Sequence, residues 1–211
     1  MSLQVVNLGL PKTGTTTLAR ALRLSGLKVA DHRLRGRNTS DPALKGAFVA
    51  DLLYRGYFKT GDPGAFLSEC DAVSEMSMLR ADTSLWPQMD FALILALRAH
   101  HPGVRFLASR RDSYDLSQSM LAWSDLATAR LPDSPVPGLP PGYGGTTKER
   151  MQWIDGHYAG LARFFDGDPA YLEYDVADPS ARQRISGFLG RELPWWGRLN
   201  ANPLRRKGQA V

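Results

Sequence analysis

A loop between two glycines near the start of the chain constrains the fold more than any other sequence feature. Residues 4–8 (QVVNL) form a short apolar run that predicts a buried β-strand. The loop Gly9-Leu-Pro-Lys-Thr-Gly14 follows, and residues 15–22 (TTTLARAL) predict a helix whose threonine hydroxyls can cap its first turn. In such a unit the loop N–H groups and the positive end of the helix dipole converge. The stretch therefore predicts a binding site for an anion such as a phosphate.

The position of the lysine distinguishes this loop from the Walker A loop of nucleotide hydrolases. That loop reads Gly-x-x-x-x-Gly-Lys-Ser/Thr, with the lysine directly after the second glycine. Here Gly9 and Gly14 have the same spacing, but Thr15 stands in the place of the lysine, and Lys12 is the lysine of the loop. An ordinary glycine turn is the alternative interpretation, and the run PKTGTT at residues 11–16 favours the anion site.

This run resembles the 5′-phosphosulfate loop of sulfotransferases that use 3′-phosphoadenosine 5′-phosphosulfate (PAPS), in which Pro-Lys-Thr/Ser-Gly-Thr-Thr carries the lysine inside the loop. A second motif, residues 111–119 (RDSYDLSQS), resembles their Arg-Asp/Asn-Pro-x-Asp-x-x-x-Ser, with Ser113 in the place of proline. In that family the arginine and the serine hold the 3′-phosphate. A guanidinium fork and a hydroxyl suit a phosphate monoester chemically.

The resemblance implies a set of residues that bind the nucleotide. A third segment, Arg206-Lys207-Gly208, is similar to the Arg-Lys-Gly segment that touches the 3′-phosphate in the cytosolic enzymes, although a basic tail is the alternative. The predicted nucleotide-binding residues are Pro11, Lys12, Thr13, Gly14, Thr15, Thr16, Thr17, Arg111, Ser119, Arg206, Lys207 and Gly208.

The same resemblance implies in-line transfer of a sulfuryl group from PAPS to a hydroxyl or an amine, leaving PAP, the 3′,5′-diphosphate. Lys12 and the N–H groups of residues 13–17 would stabilise the leaving oxygen, and no metal is required. The acceptor needs a base within hydrogen-bond reach. The candidates are Glu75, which follows the third predicted strand, and His32, which follows the second. Different branches of the family place their base at one or the other position, and topology favours Glu75.

Strands alternate with helices along the chain, which predicts an α/β fold. We expect a single domain over residues 1–211, with three α/β/α layers, a mostly parallel sheet and a P-loop-like topology. Residues 76–87 are expected to be irregular. The further strands are predicted at residues 27–30, 71–74, 104–109 and 171–174, and the further helices at 42–57, 62–69, 88–101, 113–130, 146–165 and 178–190.

Residues 131–145 (LPDSPVPGLPPGYGG) are rich in proline and glycine. Loops of this length are usually functional covers or disordered. We therefore predict a lid over the acceptor site. Its walls would also include Trp86, Trp123 and Trp195-Trp196, for which a place in the hydrophobic core is the alternative.

Composition narrows the classes of partner. A net charge of +5 over 211 residues fits a small polyanionic ligand better than nucleic acid, for which a basic stripe is expected. Four histidines and one cysteine give no metal-binding spacing and no disulfide. The sequence shows no leader and no membrane span, so a cytoplasmic protein with a small-molecule or glycan acceptor is expected.

Two other functions stay open from the sequence. A P-loop kinase or nucleotide hydrolase would share the predicted fold, but it needs the Walker lysine and an acidic residue for magnesium. A non-catalytic protein that binds PAP or another nucleotide would need only the anion site. The identity of the acceptor and the oligomeric state are not indicated.

Overall fold

A five-stranded parallel sheet lies at the centre of the protein, as seen in a computed structural model that describes residues 2–80 and 82–199. A separate antiparallel pair lies outside this sheet. The strands are β1 (Val5–Asn7), β2 (Val29–Asp31), β3 (Ala72–Glu75), β4 (Met78–Arg80), β5 (Thr83–Leu85), β6 (Arg105–Arg110) and β7 (Tyr171–Asp175). The sheet order is β2-β3-β1-β6-β7, and β4 pairs with β5. The loop after β1 therefore leaves the middle strand between β3 and β6.

Seven α-helices occur in the described part of the chain. They are α1 (Thr15–Leu24), α2 (Val49–Thr60), α3 (Phe91–His100), α4 (Ser113–Leu121), α5 (Leu131–Asp133), α6 (Thr147–Phe164) and α7 (Ala181–Leu189). Two 3-10 turns (Pro42–Leu44 and Pro87–Met89) and one π-helical turn (Leu126–Arg130) complete the helical structure.

Both faces of the sheet pack against helices, because successive side chains of a strand point to opposite faces. Val6 and Phe106 belong to one buried cluster, together with residues of α2, α3, α4 and α6. Their neighbours Val5 and Leu107 belong to a second cluster, with residues of α1 and α7. The prediction of an α/β fold with a mostly parallel sheet is confirmed.

Three predicted helices differ in the structure, each for a local reason. Residues 62–69 form turns rather than a helix, because the Asp62 carboxylate accepts a hydrogen bond from the N–H of Gly64 at 2.7 Å. The helix predicted at 42–57 is interrupted at Gly46, whose φ is 84°, so α2 begins only at Val49. The helix predicted at 113–130 ends at Leu121, and Ser124, with a φ of 50°, separates it from the π-helical turn.

Two further expectations were wrong. Residues 76–87 are not irregular throughout, since they contain the β4–β5 hairpin, whose strands of three residues give little alternation to detect. The threonine hydroxyls do not cap α1. Its N-cap is Gly14, in the left-handed conformation, and no side chain makes a capping hydrogen bond to the first turn.

The proline- and glycine-rich segment 131–145 contacts the rest of the protein through its backbone carbonyls. The Pro135 carbonyl accepts from Ser84 and the Pro137 carbonyl accepts from the Trp153 indole, at 2.7 and 2.9 Å. The buried Arg150 guanidinium donates to the carbonyls of residues 144 and 145, both at 2.8 Å. The segment lies against β5 and α6, and its movement as a lid stays a prediction.

Within residues 2–80 and 82–199, the structure contains no helix of sufficient length and apolar character to cross a membrane.

Candidate functional site

A cavity of about 1110 Å³ opens at the carboxyl edge of the sheet. Residues that end or follow each of the five parallel strands line it, including Lys12 after β1, His32 after β2, Glu75 at the end of β3, Arg111 after β6 and Val176 after β7. Ligands of open parallel α/β sheets bind at this edge, where the chain connections diverge from the middle strand. The cavity is therefore the candidate site, and it unites elements that lie far apart in the sequence.

The loop after β1 and the start of α1 form the floor of this cavity. Pro11, Lys12 and residues 14–17 line it. The first turn of α1 contains no acidic residue and receives no side-chain cap, so its N–H groups are available to an anion. Gly9 is required for close packing, since a Cβ there would lie 2.1 Å from Ser109 Oγ.

Hydrogen bonds beneath the loop fix its conformation. The Thr13 hydroxyl donates to the Leu10 carbonyl at 2.6 Å and lies 2.7 Å from Ser109 Oγ. The Tyr158 hydroxyl donates to the Ser109 carbonyl at 2.7 Å and accepts from the Leu10 N–H at 3.3 Å. Thr13 is fully buried, so its side chain supports the loop from below and does not line the cavity.

Lys12 lies in the cavity with an unusual backbone conformation. Its φ is 72°, which non-glycine residues rarely adopt and which is common at functional sites. Its ammonium lies 3.7 Å from the centre of the Trp123 ring, a cation–π contact. Burial lowers the pKa of Lys12, nearby Arg111 lowers this pKa further, and Glu75 opposes both effects.

Both anchors of the second motif also line the cavity. Arg111 follows β6, and its guanidinium donates to the Lys12 carbonyl at 3.4 Å, so it lies directly beside the loop. Asp112 caps α4 by accepting from the N–H of Asp115 at 3.0 Å. Ser119 lies on α4 and lines the same cavity. The structure thus brings the two sequence motifs to one site.

The Glu75 side chain is buried at the wall of the cavity, and its carboxyl group accepts several hydrogen bonds. The N–H of Ser77 donates to it at 3.0 Å, and the hydroxyls of Ser77 and Thr15 donate as well. Burial raises the pKa of Glu75, and the bonds from Ser77 and Thr15 oppose that rise. Its lone pairs are therefore engaged mainly by the protein itself.

His32 is the second candidate base, and it is joined to Glu75 through the same serine. Its Nδ1 lies 3.1 Å from the Ser77 carbonyl, an acceptor, so Nδ1 carries the proton and Nε2 has the lone pair. Partial desolvation lowers the pKa of His32, which favours the neutral ring. The residue is exposed and lines the cavity. His32 therefore has a basic nitrogen, Nε2, whose lone pair can accept a proton.

Several cavity residues were not predicted from the sequence. They include an aromatic residue and arginines (Phe48, Arg33, Arg80 and Arg130) and the segment 197–199 near the end of the described chain. The Thr17 hydroxyl donates to the Gly197 carbonyl at 2.9 Å, which holds that segment over the start of α1. No motif marked these residues, although the arginine-rich composition of residues 33–37 was a signal of positive charge.

The predicted walls are found in part. Trp86, Trp123 and Trp196 line the cavity, whereas Trp195 packs beneath the Arg20 guanidinium at 4.5 Å instead. Residues 131–145 are not among the lining residues. The predicted segment Arg206-Lys207-Gly208 lies outside the described residues.

In the part of the chain that the structure describes, no group of three or more His, Cys, Asp or Glu side chains is placed to hold a metal ion. Comparisons of the chain with models of protein families and with curated proteins find no match.

Proposed function

We propose that the protein is a PAPS-dependent sulfotransferase with a P-loop-like topology. The observation that carries this proposal is the meeting of two anion-binding motifs and a basic imidazole in one cavity. The loop with Lys12 and the pair Arg111 and Ser119 were identified separately in the sequence, more than ninety residues apart. Both line the same cavity together with His32. An ordinary glycine turn would not require this convergence.

The residues present fit a nucleotide with phosphates at both its 5′ and 3′ positions. The uncapped first turn of α1 and Lys12 would hold the 5′-phosphosulfate. Arg111 and Ser119 would hold the 3′-phosphate through a guanidinium fork and a hydroxyl. The volume of about 1110 Å³ exceeds the usual range for small-molecule pockets, which leaves room for an acceptor beside the nucleotide.

The proposed reaction is a single in-line displacement at sulfur. The acceptor oxygen or nitrogen forms a bond to sulfur while the bond from sulfur to the bridging oxygen breaks, and that electron pair stays on the 5′-phosphate of PAP. Lys12 and the N–H groups of the loop stabilise the charge that develops on this oxygen. The acceptor's proton passes to a base of the protein, so mass and charge balance without a metal or redox partner.

Hydrogen bonding favours His32 over Glu75 as that base, although sequence topology favoured Glu75. The Glu75 carboxyl already accepts bonds from Ser77 and Thr15. His32 Nε2 has the lone pair, and the Ser77 carbonyl fixes the ring from the other side. We assign Glu75 the role of orienting Ser77, which in turn orients His32.

Nucleotide selectivity tests the proposed function against a kinase or hydrolase. PAP without a metal should raise the melting temperature by about 5 to 10 °C when present at a hundred times its dissociation constant. Mg-ATP should raise it much less, since Thr15 stands where a Walker loop has its lysine. Thermal unfolding with each ligand makes the comparison. A larger shift with Mg-ATP than with PAP would favour the kinase or hydrolase.

The pH dependence of turnover tests the assignment of the base. A base works when it is deprotonated, so kcat/KM should rise through the lowered pKa of His32, below its ordinary value of about 6.5, and then level off. His32→Asn keeps a donor for the Ser77 carbonyl. This variant should lose about two to four orders of magnitude in kcat/KM. It should also lose the acidic limb of the profile, the rise of kcat/KM with pH. The readout is PAP release from PAPS, with 2-naphthol or water as the acceptor.

Glu75→Gln is the matched comparison for this experiment. It should reduce turnover less than His32→Asn and keep the acidic limb, because its amide still accepts from Ser77. If the limb vanishes in Glu75→Gln and persists in His32→Asn, Glu75 is the base and the assignment is reversed.

A further inference from the structure

One aromatic ring that carries two arginine side chains forms a wall of the cavity. Phe48, directly before α2, meets the His32 ring edge-on, with 5.1 Å between the ring centroids. The guanidinium carbons of Arg33 and Arg80 lie 3.8 and 5.5 Å from the centre of the Phe48 ring. All four residues line the cavity. The wall therefore presents two positive charges on an apolar support.

Neither charge is neutralised within the described part of the chain. Arg33 and Arg80 have no carboxylate within ion-pair distance among residues 2–80 and 82–199, whereas a third cavity arginine, Arg130, pairs with Asp125 at 2.7 Å. Two guanidinium groups on one ring repel each other, and the face of the ring compensates only part of that repulsion. An anion bound by both groups would offset this repulsion and accept hydrogen bonds from each guanidinium.

A chain of contacts runs from the start of α1, beside the anion loop, to this wall. Thr15 of the loop bonds to Glu75, Glu75 bonds to Ser77, Ser77 bonds to His32, and His32 touches Phe48. The two arginines thus lie beside the candidate base, which is joined to the start of α1 through Ser77 and Glu75. An acceptor atom that lies between His32 and the sulfur held at the loop can extend the rest of its molecule past His32 onto this wall.

We infer that the acceptor is an anion with an aromatic or otherwise apolar body. Its carboxylate, sulfate or phosphate binds between Arg33 and Arg80, its body packs on Phe48, and its hydroxyl or amine reaches His32. Guanidinium groups suit such anions because they donate paired hydrogen bonds in a plane. The same charges repel a cationic acceptor, which adds specificity. This inference rests on the proposed function, since it names the substrate class of that site.

Three probes of equal size and different charge test the inference by calorimetry on the full chain saturated with PAP. They are 2-naphthoate, its neutral amide 2-naphthamide, and the cation 2-naphthylmethylammonium. Wild-type protein should bind the naphthoate at least about fivefold more tightly than the amide, as expected for charge-assisted bonds at a partly exposed site. The cation should bind more weakly than the amide.

The double variant Arg33→Gln/Arg80→Gln should lose this preference and keep its affinity for PAP. Arg163→Gln removes a charge from α6, where the side chain is 88% exposed, and should keep the preference. Equal affinity of wild-type protein for naphthoate and naphthamide would overturn the inference. A preference for naphthoate that survives in the double variant would also overturn it. The inference would likewise fail if none of the three probes binds at millimolar concentration.

Repeating the titrations without PAP separates this inference from the proposed function. If PAP fails to bind, the proposed function fails. The loss of naphthoate preference in the double variant then still reports whether the two arginines form an anion site.

Discussion

Replacement of Lys12 by alanine is expected to abolish nearly all turnover while the fold is kept. Lys12 lines the cavity at the loop, and in the proposed reaction charge would develop there on the leaving oxygen. Removal of one donor of this kind costs about two to three orders of magnitude in rate. The loss should appear in kcat, because the interaction strengthens in the transition state. The measurement is PAP release from PAPS, with water or 2-naphthol as the acceptor.

Lys59→Ala is the control for this variant, since Lys59 is exposed at the end of α2 and lies away from the cavity. Its turnover should match that of the wild type. Trp123→Leu gives a second comparison, because Trp123 contacts the Lys12 ammonium at 3.7 Å and should alter turnover less than loss of the lysine itself. Near wild-type turnover in Lys12→Ala would contradict the proposed chemistry.

Replacement of Arg111 by alanine is expected to remove most of the discrimination between PAP and AMP. The two ligands share the adenosine 5′-phosphate and differ only in the 3′-phosphate. A charge-assisted hydrogen bond contributes roughly 1.5–3 kcal/mol when it is desolvated. At 1.4 kcal/mol for each factor of ten, the variant should lose about ten- to hundredfold in PAP affinity. Affinity for AMP should stay close to that of the wild type.

Ser119→Ala makes this result specific to the 3′-phosphate. Arg111 also donates to the Lys12 carbonyl, so its removal can loosen the loop, whereas Ser119 lies on α4. A smaller loss of PAP affinity in Ser119→Ala, with AMP affinity unchanged, would assign both residues to the 3′-phosphate. An equal loss for PAP and AMP in both variants would contradict that assignment.

Local sequence signals predicted the centre of the fold well. The strand–loop–helix unit at residues 4–24 depends on neighbouring residues alone, since Gly9 and Gly14 supply a close approach and a left-handed conformation that other residues rarely allow. The parallel sheet followed from the alternation of strands and helices. The burial of the Thr13 side chain beneath the loop could not be predicted from neighbouring residues, because it depends on Ser109, which is distant in sequence.

The wall of Phe48, Arg33 and Arg80, to which we assign the acceptor, could not be predicted from the sequence because it depends on contacts between distant segments. Phe48 and Arg80 lie thirty-two residues apart in the sequence, and they meet only when the β4–β5 hairpin lies near the start of α2. The choice between His32 and Glu75 as the base could not be predicted for the same reason. Topology places both residues at the ends of neighbouring strands, and only the bonds made by Ser77 distinguish an engaged carboxyl from an available imidazole.

A calorimetric titration of the wild-type protein with PAP and with AMP, without metal, measures directly whether the cavity recognises a 3′-phosphate. We expect PAP to bind about ten- to hundredfold more tightly than AMP, because the loop would hold the 5′-phosphate of both ligands while Arg111 and Ser119 would add bonds to the 3′-phosphate of PAP alone. Equal affinities for PAP and AMP would show that the cavity does not recognise a 3′-phosphate, and would contradict the assignment of the site to a sulfotransferase.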